Sequence, residues 1–154
     1  MTARAYKIMP KADLQGAMLF QTLLWDAQLQ GADLRGADLR GAILGRSNLS
    51  DANLKKAKLS RAKAVHANLQ SAGLEEVNLQ EAVLKWAILR DANLQNADFK
   101  DALLDDDDLH GTDLRGARNI KPQQIIAARN WRDALYDDDF RKELDEFYET
   151  RSHH

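Results

Sequence analysis

The chain has 154 residues, of which 24 are acidic and 22 are Lys or Arg, giving a formal net charge of −2. This length favours one domain, and the absence of cysteine excludes disulfides, thiolate metal sites and a cysteine nucleophile. No apolar run reaches the roughly 20 residues that span a bilayer, and residues 1–10 lack the apolar core of a secretory signal. The near-neutral charge also disfavours a general nucleic-acid binder. We therefore expect a soluble protein of the cytoplasm.

A five-residue repeat follows a short N-terminal lead-in or cap, residues 1–11. Leucine occupies 19 of the 21 positions spaced five apart from Leu14 to Leu114, and the exceptions are Ala64 and Phe99. Two residues before each of these positions, 16 of the 21 residues are Ala, and the residue in between is Asp or Asn in 11 units. We interpret residues 12–117 as one uninterrupted array of such units.

The period of five predicts short strands joined by corners. On an α-helix a step of five residues turns through about 500°, so the leucines would spread around the helix and bury no common face. In an extended segment, by contrast, the small residue and the leucine two positions later point to the same side. Several units end in glycine, such as Gly16 and Gly36, which suits a corner that needs a positive φ.

The segment Ala32-Asp33-Leu34-Arg35-Gly36, followed by Ala37-Asp38-Leu39-Arg40-Gly41, shows the unit most clearly. It resembles the repeat of the pentapeptide-repeat proteins, written A-(D/N)-L-x-x. This resemblance implies an all-β solenoid, a right-handed quadrilateral parallel β-helix in which four units form one coil of 20 residues. Residues 12–117 would then form about five coils, with the leucines and small residues inside.

The repeat ends before residues 118–150, for which we predict a short α-helical C-terminal cap. Pro122 suits the first turn of one helix, and the acidic residues 137–139 suit the start of a second. Apolar residues of the second helix would share one face: Phe140, Leu144, Phe147 and Tyr148. The tail resembles those of cyanobacterial members of the family. It could be a lid over the last coil or a dimerisation or docking element, and residues 151–154 look like the remnant of an expression tag.

Asp107 is an unusual residue at an inward position of the repeat. A buried carboxylate is costly unless it is paired or hydrogen-bonded. Since Asp107 lies near the end of the array, we expect it to bond free amides of the final coil or of the tail.

The sequence carries no motif for catalysis. It has no Gly-rich phosphate loop and no nucleophile elbow, and His66 and His110 lack partners at metal-ligand spacing. Carboxylates recur throughout the repeat, so their pairs carry no specific signal. We therefore predict that the protein is not an enzyme and has no catalytic residue, cofactor or metal site.

Because residues 20 apart would stack in one column, the repeat also predicts a map of the surface. One column of outward positions carries large apolar residues instead of Asp or Asn, and comprises Leu23, Ile43, Lys63, Val83 and Leu103. Other outward positions nearby add Trp25, Val65 and Trp86, with Met18, Phe20 and Ile88 adjoining. We therefore propose partner-binding roles for Met18, Phe20, Leu23, Trp25, Ile43, Val65, Val83, Trp86, Ile88 and Leu103.

Apolar patches of this kind usually mark interaction surfaces. We hypothesise that the protein is an interaction scaffold. It would bind an unknown protein partner, or form a homodimer through this face or the C-terminal helices. Two structural explanations stay open: the N-terminal residues or the tail could cover the face, or the stacked side chains could serve only to stabilise the sheet.

Charge is uneven along the array. Residues 35–63 hold eight Lys or Arg against two acids, whereas residues 75–113 hold eleven acids against three bases. Some pentapeptide-repeat proteins resemble duplex DNA and act on DNA gyrase, so the resemblance implies an alternative function, a DNA-mimicking gyrase inhibitor or protector. Five bases interrupt the acidic surface that such mimicry needs, namely Lys55, Lys56, Lys58, Arg61 and Lys63. Direct binding of nucleic acid is disfavoured because the basic zone lacks interleaved aromatic residues.

Overall fold

The computed structural model describes residues 7–152 and shows a four-sided coil. Parallel β-bridges join residues that are 20 positions apart, beginning with Asp13 and Asp33 and continuing through the repeat to Asp98 and Arg118. Four units therefore bring the chain back to the same side, as the resemblance implied. Each strand is short, since a unit contributes one bridged residue, the middle one of its five.

The bridged residues form four columns, one on each side of the coil. We number them from the first unit: the first column begins at Asp13, the second at Met18, the third at Leu23 and the fourth at Gln28. The third column contains the four predicted apolar residues and one lysine. They are bridged in the order Leu23, Ile43, Lys63, Val83 and Leu103.

Each corner is a tight turn closed by a backbone hydrogen bond. The amide of Ala17, for example, donates to the carbonyl of Leu14 at 2.9 Å, and Gly16 between them has a φ of +63°. A positive φ at the third residue is the geometry of a type II turn, which favours glycine. Most corners nevertheless carry other residues, including Trp86 with a φ of +60°. Bonds between coils hold such residues in place, since the amide of Trp86 donates to the carbonyl of Asp105 at 3.0 Å.

The interior is a stack of leucines and small residues. All 19 leucines of the register are buried, and so are Ala64 and Phe99 at the two exceptions. Burial of each leucine contributes roughly 1.5–3 kcal/mol. Successive coils are joined by backbone hydrogen bonds such as that from Leu54 to Gly73, at 2.6 Å. This ladder and the apolar stack together offset the conformational entropy lost on folding.

The C-terminal segment is helical, as predicted. Helix α1 spans Pro122–Ile126 and α2 spans Asp138–Ser152, with a single 3₁₀ turn, Trp131–Asp133, between them. Pro122 stands in the first turn of α1. Asp138 and Asp139 stand in the first turn of α2, where carboxylates interact favourably with the helix dipole.

Residues between α1 and α2 continue the hydrogen-bonding pattern of the repeat at its end. The amide of Arg129 donates to the carbonyl of Asp107, and that of Leu135 to Thr112, both at 2.8 Å. The Gln124 side chain donates to two further carbonyls of the repeat, those of Phe99 and Ala102. These contacts make the segment a lid on the last coil, one of the two predicted roles. A role in dimerisation stays a prediction.

Helix α2 packs against the lid. Its Leu144 is fully buried, and its Tyr148 meets the buried Trp131 with ring centroids 5.6 Å apart. The guanidinium of Arg132 lies over both rings. The helix extends to Ser152, whereas residues 1–6 of the predicted lead-in and the two final histidines of the predicted tag lie outside the described residues.

Asp107 is completely buried, but its hydrogen bond differs from our expectation. Its Oδ1 accepts the amide of Ala87 at 2.8 Å, one coil toward the N-terminus, and not an amide of the final coil or tail. Its Oδ2 has no partner among residues 7–152. The expectation was wrong because the Asp107 side chain points back along the stack, toward the preceding coil. Burial raises the pKa of this carboxyl to about 9.

Candidate protein-binding face

The third column is the centre of the candidate face. Leu23 is 79% exposed and Leu103 44% exposed, whereas Ile43 and Val83 are half-buried between their neighbours. Lys63 interrupts the apolar column at its middle and is exposed. The face is therefore apolar toward both ends and cationic at its centre.

Exposed apolar side chains are concentrated in the first coil. Besides Leu23, the side chains of Met18, Phe20 and Trp25 are 67%, 52% and 56% exposed. We call these four residues the N-terminal apolar cluster. They belong to consecutive units of one coil, so the cluster extends from the second side across the third to the next corner.

Gly45 supports Trp25, a contact that was not predicted from the sequence. A Cβ on Gly45 would overlap the six-membered ring of Trp25, so the indole lies directly against the backbone of the next coil. Gly45 does not have a left-handed φ, and its backbone conformation therefore does not require glycine. The signal in the sequence is a glycine outside the corner register, 20 residues after a tryptophan.

Trp86 lies at the corner between the third and fourth sides. It stacks on His66, with ring centroids 5.2 Å apart and an interplanar angle of 12°, and remains 46% exposed. Val65, beside His66, is half-buried. Ile88 is also half-buried and lies in the fourth column, on the adjoining side. The ten predicted residues therefore extend around two corners and do not form one flat strip.

A groove of about 510 Å³ lies at the corner between the second and third sides. Phe20 and Ile43 contribute apolar surface to its lining. Arg40, Arg61 and Lys63 contribute positive charge, and Glu81 contributes one negative charge. This groove was not predicted from the sequence. The sequence pattern behind the groove is the succession of small and long residues in the corner columns. These columns can be recognised only once the 20-residue register is known.

Two of the three cations in the groove are paired within the chain. Arg40 binds Asp38 at 2.6 Å, and this hydrogen bond lowers the pKa of the Asp38 carboxyl. The Arg40 guanidinium also lies 5.5 Å from the centre of the Phe20 ring. Arg61 binds Glu81 at 3.0 Å. Lys63 forms no ion pair with any described residue, so its charge is available to a ligand.

The geometry defines the class of the protein: a solenoid of four-sided coils, with a leucine interior and a helical lid at its C-terminal end. The chain belongs to the pentapeptide repeats family, whose sequence profile matches residues 27–63 and 67–106 in eight copies, half of the chain. Members of this family fold as right-handed quadrilateral β-helices and are generally non-enzymatic scaffolds. The predicted family is thereby confirmed.

Solved structures of other family members are similar to this chain. Rfr23 from the cyanobacterium Cyanothece 51142 is 31% identical over 62% of this chain and 64% of its own, with a TM-score of 0.52. A pentapeptide repeat protein from the thylakoid lumen of Arabidopsis thaliana is 29% identical over 65% of this chain and 66% of its own, with a TM-score of 0.44. This chain thus spans about two thirds of either relative.

QnrB1, a plasmid-mediated fluoroquinolone resistance protein, is 16% identical over 90% of this chain and 84% of its own, with a TM-score of 0.46. That likeness concerns the fold alone. No curated protein gives a significant sequence match. Within residues 7–152, no helix is long and apolar enough to cross a membrane, and no group of three or more His, Asp or Glu could hold a metal ion.

Proposed function

We propose that the protein is a non-enzymatic scaffold that binds a protein partner through the face centred on the third column. The observation that carries the proposal is the N-terminal apolar cluster, four large side chains that are all more than half exposed within one coil. Contiguous exposed apolar surface is uncommon on proteins that bind nothing, and aromatic residues are enriched where binding energy concentrates. The cytoplasm remains the expected compartment within this proposal.

Stacking within the sheet and cover by the C-terminal lid account for only part of the face, while cover by residues 1–6 falls outside the described residues. Stacking within the sheet explains Ile43 and Val83, which are half-buried against neighbouring coils. It does not explain Leu23, which leaves 79% of its surface in solvent. The C-terminal lid packs against the opposite end of the solenoid and leaves Leu103 44% exposed.

Substitution of the third column tests the proposal. Affinity capture with the tagged full chain should recover a partner or a second copy, and Ile43→Asp combined with Val83→Asp should abolish that capture. The matched control is Asn53→Asp, which adds one carboxylate at the same repeat position of the first column. If the double variant keeps its β-rich circular dichroism spectrum, its oligomeric state and every captured protein, the face has no binding role.

Action on DNA gyrase stays an alternative prediction. Mimicry of duplex DNA requires a continuous acidic surface, and the bases between residues 35 and 63 interrupt it. A supercoiling assay tests the alternative directly. Inhibition of gyrase, or its protection from a quinolone, would favour it over the scaffold.

A further inference from the structure

We propose that the groove beside the third column binds an acidic peptide segment that carries an apolar side chain. In this arrangement Phe20 and Ile43 contact the apolar side chain, and the ammonium of Lys63 pairs with a carboxylate. The inference rests on the proposed scaffold function and specifies the chemistry of its partner.

Small residues in the corner columns create the concave surface. Gly41 and Ser60 line the groove next to the longer side chains of Arg40 and Arg61. A Cβ at residue 41 would come within 3.2 Å of the Cγ of Gln21, so a side chain at that position would crowd the groove. Its volume of about 510 Å³ lies within the roughly 300–1,000 Å³ that is usual for ligand pockets.

The charge of the groove selects an acidic ligand. Arg40 and Arg61 are each balanced by a carboxylate of this chain, but Lys63 has no ion pair with any described residue. Most of the residues that line the groove also come from residues 35–63, a segment with eight basic and two acidic residues. An acidic segment would therefore be attracted over several ångströms before contact.

The position of Lys63 couples the apolar contact to the ionic one. Lys63 follows Ile43 directly in the third column, in the next coil. A ligand that covers Ile43 also removes water from the Lys63 ammonium, and this desolvation is unfavourable unless an anion replaces the water. An uncharged apolar segment would meet this penalty, whereas one with a carboxylate beside its apolar residue would not.

An acidic peptide fits the groove better than a nucleic acid. Nucleic acids bind to basic surfaces with exposed aromatic faces on which bases stack. Here the guanidinium of Arg40 already lies over the Phe20 ring, at 5.5 Å from its centre. One face of the Phe20 ring is therefore occupied by a cation of this chain, and the other large apolar residue of the groove, Ile43, is aliphatic and offers no ring for base stacking.

The test uses fluorescence anisotropy with the full chain and a labelled peptide that has two leucines flanked on both sides by glutamates. One control peptide replaces the glutamates with lysines and a second replaces the leucines with serines; a labelled single-stranded oligonucleotide is the nucleic-acid probe. Only the glutamate–leucine peptide should bind, more weakly as salt increases. Equal binding of the serine peptide would overturn the apolar contact, and preferential binding of the oligonucleotide would overturn the choice of partner.

Two charge-reversal variants locate the site. Lys63→Glu should weaken peptide binding by about tenfold or more, whereas Lys100→Glu should change it by less than about twofold. Lys100 is the control because it is an exposed lysine outside the basic zone and does not line the groove. Equal effects of the two variants, or no peptide binding at all, would overturn the inference. If Ile43→Asp with Val83→Asp still abolished partner capture in that case, the scaffold function would stand without the acidic ligand.

Discussion

Replacing Asp107 with alanine should stabilise the protein and remove part of its pH dependence. The carboxyl is fully buried, its Oδ2 has no partner among residues 7–152, and its pKa is raised to about 9 by burial. In the unfolded chain the same group titrates near pH 4. Between these two values the folded chain holds a proton that the unfolded chain has released, so stability falls as the pH rises.

The magnitude follows from the difference in bound protons. One proton corresponds to about 1.4 kcal/mol of unfolding free energy per pH unit, so this group lowers stability by about 4 kcal/mol between pH 5 and pH 8. Alanine, the residue at most equivalent positions of the repeat, removes this effect. It also removes the bond from the Ala87 amide, worth about 1 kcal/mol, although that amide also donates to the carbonyl of Leu84. Counted from the unfolded-state pKa near 4, the penalty at pH 7 is also about 4 kcal/mol, so we expect a net stabilisation of about 3 kcal/mol at that pH.

Urea unfolding followed by circular dichroism, repeated from pH 5 to pH 8, measures the effect. The unfolding free energy of Asp107→Ala should exceed that of the unmodified chain by an amount that grows with pH. Asp13→Ala is the control, because it removes an exposed carboxylate of the first coil, at the other end of the repeat from Asp107. A constant difference across this pH range, or a less stable Asp107→Ala, would show that the buried carboxyl is not held protonated.

Three further changes have defined outcomes. Leu54→Ala should lower the unfolding free energy by about 3 kcal/mol in urea titrations, because it empties space in a fully buried stack. Gly45→Ala should displace the Trp25 ring and shift its indole N–H resonance, with less than about 1 kcal/mol lost, because that ring is 56% exposed. Asp113→Asn should lower the unfolding free energy by about 1–2 kcal/mol at pH 7 and leave it unchanged below about pH 2. The hydrogen bond from Arg115 lowers the pKa of Asp113 to about 2. The stabilising negative charge of Asp113 is therefore lost as the pH falls through that value. Unchanged stability of Leu54→Ala would contradict the first expectation, and an unmoved indole resonance in Gly45→Ala the second. A loss of stability in Asp113→Asn that does not depend on pH would contradict the third.

The register of the fold could be predicted once the family resemblance supplied four units per coil, since the period of five alone does not determine that number. Once four units form a coil, residues 20 apart must stack, and the bridge from Leu23 to Ile43 follows directly. The inward direction of the leucines follows from the alternation of side chains along an extended chain. The start of α2 at Asp138 was predictable for a different reason, since carboxylates favour the first turn of a helix.

Features that depend on the conformations of stacked side chains could not be predicted in this way. Trp25 over Gly45 and Trp86 over His66 are contacts between coils, and the ring orientation in each depends on the neighbour beneath it. The groove has the same origin, because its volume depends on how far Arg40 turns toward Asp38 and Phe20. The hydrogen bond of Asp107 was mispredicted because an inward position defines a side but not a direction along the axis.

Departures from the repeat have different consequences on the two sides of the coil wall. Inside, a departure such as Asp107 lowers stability, because a buried polar group must find a partner within a fixed lattice. Outside, the fold places little demand on the middle residue of each unit, since the backbone bridges form with Asp, Lys or Leu at that position alike. The apolar residues of the third column are therefore not needed for folding in the way that the leucines are. Leu23 and Leu103, which stay exposed, are the members of this column that stacking does not explain, and they support the proposed binding role.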